Sequence, residues 1–177
     1  AQDFSFRYPL IEKQGNFGNI LTGHSAAASR YTECRLTPLA VETLFNKALT
    51  EYTPSYDGRR QEPKELPAKV PVLLMLGAEG IAVGMSTTIL PHNFIELLEA
   101  QVAILKDEDY ALAPDFLQGG MIDVSEYDDG RGKIRVRARI EKVSGAQKLV
   151  IRDVPFSTTT TSLIASIESA EIGRAHV

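Results

Sequence analysis

Tyr31-Thr32-Glu33-Cys34-Arg35-Leu36-Thr37-Pro38-Leu39-Ala40-Val41-Glu42-Thr43-Leu44-Phe45 holds two periods in succession, and with them the fold class. Tyr31 to Leu36 alternates as a short strand does. Thr37 then offers a side-chain oxygen for a helix N-cap, and Pro38 takes the first helical position, where its missing N–H costs nothing. Val41, Leu44, Phe45 and Ala48 make one apolar stripe on the helix that follows. A strand running straight into a capped helix predicts a mixed α/β (α+β) chain.

Upstream, Ala1 to Tyr8 reads as the end of a helix. Gln14-Gly15-Asn16-Phe17-Gly18-Asn19 is a turn-rich loop, and the small residues Ser25-Ala26-Ala27-Ala28 lead into Arg30-Tyr31. Downstream, Pro54-Ser55-Tyr56-Asp57-Gly58-Arg59-Arg60, with prolines at 63, 67 and 71, reads as a linker and domain boundary. Val72 to Met75 is expected to be a buried strand, with a glycine-punctuated stretch from Gly77 to Gly84 after it. Asn93 with Glu96 resembles a capping box, and Phe94, Leu98, Val102 and Leu105 give the next helix an apolar face. Lys133 to Ile140 has the clearest period. Lys133, Arg135, Arg137 and Arg139 fall on one face and Ile134, Val136, Ala138 and Ile140 on the other. Lys148 to Asp153 is predicted to pair with it across Ser144-Gly145, and a Thr-rich cap starts a last helix near Ser162. Glu171 to Val177 continues no pattern and resembles the in-frame translation of a sequencing adapter, so that tail is expected to have no biological meaning.

The 177 residues, 44% hydrophobic and 24% charged, suffice for one ordinary domain or parts of two. No apolar run approaches the roughly 20 residues that span a bilayer. A single cysteine, Cys34, excludes an internal disulfide and any cysteine cage; it is expected to be a small residue packed on a strand in a reducing, cytoplasmic setting. The net charge of −4 hides an asymmetry. Eight acidic residues and one Lys lie between Lys106 and Asp129, but six basic residues and one Glu lie between Arg131 and Lys142. A local positive field of that kind can hold nucleic acid under a negative total. Asp107-Glu108-Asp109 invites a magnesium reading, but a solvated acidic run at a helix end is the stronger one.

Ala1-Gln2-Asp3-Phe4-Ser5, Arg7-Tyr8-Pro9-Leu10, Gln14-Gly15-Asn16-Phe17-Gly18, Arg30-Tyr31-Thr32-Glu33, Tyr56-Asp57-Gly58, Gly80-Ile81-Ala82-Val83-Gly84-Met85 and Pro91-His92-Asn93 follow one another in fixed order. In that order and spacing they resemble the A subunit of bacterial DNA gyrase and topoisomerase IV, from residue 1 to about 170. Gly18 to Gly23, Ile122-Asp123-Val124-Ser125 and Thr158 to Ser162 look more like the topoisomerase IV branch. The resemblance implies a partial winged-helix domain over 1–62 and a partial tower domain, a sheet with helices, over 63–170. The chain would thus be an internal piece of the DNA breakage-reunion subunit of an ATP-dependent type IIA topoisomerase. That enzyme passes one duplex through another, and the piece alone is expected to be inactive. A DNA-binding and bending module without cleavage is the alternative.

By the same resemblance Tyr31 is the nucleophile that forms a transient 5′-phosphotyrosyl bond. A free Tyr is only about 0.1% phenolate at neutral pH, so cations must assist it, and adjacent Arg30 is the candidate for stabilising phosphate charge. Ile81, between Gly80 and Ala82, would wedge between base pairs and bend the duplex. Gln14 and Asn16 lie in a loop whose glycines let backbone approach phosphate, although it lacks the Gly-Lys-Ser/Thr ending of a nucleotide phosphate loop. From their place on the basic strand, Arg135 and Arg137 read as contacts to the DNA backbone, with a solvated edge strand blunted by charge as the equal alternative. His24 is expected to be a loop residue, and His92 a capping or packing residue. The implied partners are double-stranded DNA and the other members of an A2B2 assembly, in which two A subunits form a homodimer and two B subunits join them. Magnesium and ATP belong to the B subunit, with no metal held by this chain.

Overall fold

The computed structural model describes Gln2 and residues 4–174. These residues form a mixed α/β chain of short two-stranded antiparallel sheets and four helices. The described N-terminal residues make a single turn, with Ser5 and Phe6 N–H groups on the Gln2 carbonyl, and not the helix end expected there. β1 (Ile11–Gln14) pairs with β2 (Glu33–Leu36). The strand starts two residues later than its alternation suggests, because Ser29–Tyr31 closes a 3-10 turn first. Cys34 is exposed on β2 and is not packed.

α1 (Pro38–Leu44) begins where Thr37 and Pro38 predict, with the Thr37 hydroxyl accepting from Ala40 N–H. Its buried face differs from the expected stripe. Ala40 and Thr43 are the buried residues, whereas Val41 and Phe45 are exposed and the helix stops at Leu44. The expected linker is a hairpin, β3 (Tyr52–Pro54) with β4 (Gln61–Pro63). Pro54 and Pro63 sit at strand ends, where a two-stranded edge tolerates their missing donors. Ser55 and Asp57 tie the tip together: Ser55 Oγ donates to Asp57 Oδ1 at 2.7 Å, and Ser55 N–H reaches the Arg60 carbonyl at 2.8 Å.

Val72–Leu76 is a helix, α2, and not a strand. Short apolar runs fit both states, and here Pro71 precedes a helical turn. β5 (Ala78–Ala82) and β6 (Met85–Ile89) form a hairpin with Val83-Gly84 as its turn. α3 (Phe94–Leu105) is capped by Asn93, whose Oδ1 accepts from Ile95 N–H. Leu97 and Ala100 face the core, so the expected stripe is again displaced and Leu98, Val102 and Leu105 stay exposed.

β7 (Met121–Glu126) pairs with β8 (Lys133–Arg137), and β9 (Ile140–Lys142) with β10 (Leu149–Ile151). The predicted long strand is therefore broken after Arg137, and what pairs across Ser144-Gly145 is β9, which keeps only Ile140 of it. α4 spans Thr160–Arg174, starting two residues before Ser162, with the Thr159 hydroxyl accepting from Ser162 N–H. It continues through Glu171 into the expected tail, of which residues 175–177 lie outside the described ones.

The core is small: Ala40, Met75, Leu97, Ala100 and Phe116, with Thr43 and His92 as its buried polar members. Phe116 stacks on Phe156 at 4.5 Å, and Tyr8 tilts against Phe94 at 5.5 Å. Arg7 pairs with Asp115 at 2.8 Å, and Gln118 donates to the Phe4 carbonyl. The segment before β1 is thus docked on α3 and on the stretch before β7.

Candidate nucleic-acid interface

The loop between β1 and β2 presents Tyr31. Its root is fixed by the pairing of Gln14 with Glu33 and by a two-pronged ion pair, Arg35 Nε to Glu12 Oε2 at 2.6 Å and Nη2 to Oε1 at 3.0 Å. That hydrogen bond, then the Arg35 charge, holds the Glu12 carboxyl below its usual range. Further out, Ala27 N–H donates to the Asn16 carbonyl, Gly18 N–H to the Asn16 side chain, and Asn19 N–H to the His24 carbonyl. Asn16 therefore works inside the loop as its spacer. His24 is an exposed loop residue. Gly15 lies directly under the tyrosine with φ +101°; a Cβ there would stand 2.9 Å from the Tyr31 carbonyl oxygen. No side chain can occupy that position without lifting Tyr31 or the loop.

Tyr31 N–H closes the 3-10 turn on the Ala28 carbonyl at 2.9 Å, and the phenol projects 68% exposed. The Arg30 guanidinium sits over the Tyr31 ring, 4.8 Å from its centroid. Among the described residues it has no ion-pair partner, so its charge remains available to an incoming anion. Gln14 is exposed at the start of the same loop. An exposed phenol thus lies beneath a guanidinium that has no ion-pair partner among the described residues, on a loop whose glycine permits close backbone approach.

Ile81 faces Ser86 across the β5–β6 hairpin and is 84% exposed, so it is no core residue. Val83 at the turn and Met85 beyond it are exposed too. Lys133, Arg135 and Arg137 share one face of β8, but Arg139 lies beyond the strand and pairs with Asp153 at 3.1 Å. Arg135 reaches Asp123 at 3.9 Å and Glu126 at 3.6 Å, long contacts on an exposed surface. Arg137 has no ion pair among the described residues. Asp107 to Asp109 is exposed, and among the described residues no group of three or more His, Cys, Asp or Glu side chains converges as a metal cage would require.

His92 is buried as a packing residue, with Asn93 as the cap. Its ring lies 3.3 Å from the Tyr127 hydroxyl, a pairing that sequence reading misses because no spacing links residues so far apart. No helix among the described residues is long and apolar enough to cross a membrane.

The family of DNA gyrase/topoisomerase IV A subunits matches residues 1–175. The A subunit of DNA topoisomerase 4 from Borreliella burgdorferi is 58% identical over 161 residues, covering 91% of this chain and 26% of that protein. The A subunit of DNA gyrase from Lawsonia intracellularis is 45% identical over 94% of this chain and 22% of its own length, and that from Staphylococcus aureus 42% over 94% and 21%. The chain thus spans about a quarter or less of the curated relatives it matches. With the family model matched along nearly its whole length, the chain belongs to the DNA gyrase/topoisomerase IV A-subunit family.

Proposed function

We propose that this chain is the tyrosine-bearing part of a DNA breakage-reunion subunit. The observation that carries the reading is Tyr31 standing exposed beneath the Arg30 guanidinium, which has no ion-pair partner among the described residues, on a glycine-supported loop. In the reaction, Tyr31 Oη attacks a backbone phosphorus as its proton departs. The new bond joins phosphorus to the tyrosine oxygen, and the broken bond releases the 3′-oxygen, which takes up a proton. The 5′-phosphotyrosyl link keeps the phosphodiester energy for religation by reversal. Arg30 neutralises charge gathering on the phosphate oxygens. Ile81 enters the base stack and bends the duplex, while Arg135, Arg137, Gln14 and Asn16 line the backbone path.

Residues 1–62 are assigned to a winged-helix domain, with β1 and β2 as its wing, and 63–170 to the start of a tower. The complete protein would act on DNA in the cytoplasm as an A2B2 assembly. Magnesium and ATP would be held by the B subunit. The topoisomerase IV branch is favoured. The Borreliella burgdorferi match needs no more positions than it covers in this chain, whereas the gyrase matches stretch over 185 positions against 177 residues and must open gaps.

The test is the full-length protein, reconstituted with DNA and its B subunit. Tyr31→Phe should remove the covalent protein–DNA adduct while DNA binding persists, and peptide mapping should place the parent's adduct on Tyr31. An adduct on Tyr8, Tyr52 or Tyr56, or cleavage surviving in the variant, overturns the assignment.

A further inference from the structure

The two exposed hairpins, β5–β6 and β7–β8, face each other across a cavity of about 380 Å³. Leu74, Thr87 to Leu90 and His92 line one side; Tyr127, Asp129, Gly130, Gly132 and Ile134 line the other. Among the described residues one hydrogen bond joins these sides, between His92 Nε2 and the Tyr127 hydroxyl at 3.3 Å. His92 is 4% exposed. Its backbone N–H and its Nδ1 both approach the Leu74 carbonyl, at 2.9 and 3.2 Å. A carbonyl oxygen only accepts, so Nδ1 carries the proton. In the neutral ring Nε2 is then a bare acceptor, and the Tyr127 O–H donates to it. The bond has one direction, fixed by α2.

Both ends of this bond are held by backbone. On the near side, just past the end of β6, His92 bridges Pro114, and the Pro91 carbonyl accepts from Asp115 N–H at 2.9 Å. On the far side, the Tyr127 carbonyl accepts from Gly130 and Gly132 N–H groups at 3.0 and 2.9 Å. A Cβ at Gly132 would collide with the Glu126 carbonyl, so the turn closes only with glycine there. Burial, then the charge of Asp129, pushes the Tyr127 phenol above its ordinary range, which keeps it a donor.

We infer that His92 and Tyr127 are positioning residues, a clamp that sets the angle between the hairpin bearing Ile81 and the hairpin bearing Arg135 and Arg137. Packing alone cannot set that angle across an open cavity, and one directed hydrogen bond between two backbone-anchored rings can. Its consequence for DNA rests on the reading of Ile81 and the arginines as DNA contacts. The clamp itself is a property of the free protein.

The test uses the full-length protein without DNA, with Cys34→Ser and any other cysteine removed, and spin labels at Val83→Cys and Arg131→Cys. Tyr127→Phe keeps the ring and deletes the donor. The distance distribution between the labels should broaden while the thermal midpoint holds, and cleavage by the reconstituted enzyme should fall roughly 3- to 10-fold, as for loss of one neutral hydrogen bond. An unchanged distribution overturns the clamp and leaves the Tyr31 assignment untouched. If Tyr127→Phe does not fold, nitrogen NMR of the parent's His92 ring decides. The Nδ1-protonated tautomer supports the clamp, and the Nε2-protonated one overturns it.

Discussion

Hairpins β5–β6 and β7–β8 are built alike and present opposite chemistry. Each is a two-stranded antiparallel ribbon with most residues in solvent. Between Ala78 and Ile89 there is no Lys or Arg and one acid, Glu79, and the exposed large apolar side chains toward the turn are Ile81, Val83 and Met85. On β7–β8, Lys133, Arg135 and Arg137 alternate along one strand against Asp123 and Glu126 on the other. An apolar projection gains free energy only by leaving water, as in a base stack. A guanidinium gains it by releasing condensed counterions from phosphate. The same backbone thus supplies one contact that ignores salt and one that depends on it.

The largest effect should come from Ile81→Ala. An exposed residue contributes little to the core, so the unfolding midpoint should hold within about 0.5 kcal/mol. Without the wedge nothing offsets the few kcal/mol of unstacking that a kink costs, so bending and cleavage should drop together by roughly 10- to 100-fold, equally at low and high salt. A large loss of stability with normal bending, read from fluorescence-labelled DNA, would return Ile81 to a packing role.

Arg137→Ala should act more weakly and in the opposite style. The slope of log affinity against log salt should flatten by about 0.9, the share of one neutralised phosphate. Arg135→Ala should flatten it less, because Asp123 and Glu126 already engage that guanidinium. Equal slopes for the two variants would erase the distinction between an arginine in contact with carboxylates and one with no ion pair among the described residues.

Asp123→Asn should give the smallest change, with the reverse sign: modestly tighter binding and a steeper slope as Arg135 is released. Hydrogen bonds from Ser125, then the charges of Arg135 and Arg137, lower the Asp123 carboxyl. A carboxyl lowered by folding contributes stability above its unfolded value, about pH 3.9, and loses it as pH falls through the folded value. Salt slopes should therefore agree between pH 7 and pH 5, and the variant should lack the parent's extra loss of stability below about pH 4. A slope that shifts between pH 7 and pH 5 would implicate another group.

Where local chemistry decides, the sequence was legible. Thr37 and Asn93 cap their helices because a side-chain oxygen one turn from free N–H groups needs no tertiary help. Lys133 to Arg137 alternates because period two defines a face. Where surroundings decide, it was not. Leu97 and Ala100 are buried while Leu98 and Val102 are exposed, a choice made by what packs beside α3. Val72 to Leu76 is equally apolar as strand or helix. Within the candidate site, Tyr31 and Ile81 were found by resemblance alone, since an exposed tyrosine after an arginine has no pattern of its own. The Gly15 contact and the His92–Tyr127 bond needed three dimensions.

The displaced stripe on α3 has a consequence in the test tube. Ile95, Leu98, Val102 and Leu105 form a ribbon of oil along a helix already in water, and β5–β6 adds Ile81, Val83 and Met85. Surfaces of that kind adhere to one another. Colloidal behaviour, more than fold stability, will set the concentration at which the chain can be handled by itself. A solubilising fusion or a low working concentration is therefore part of its biochemistry.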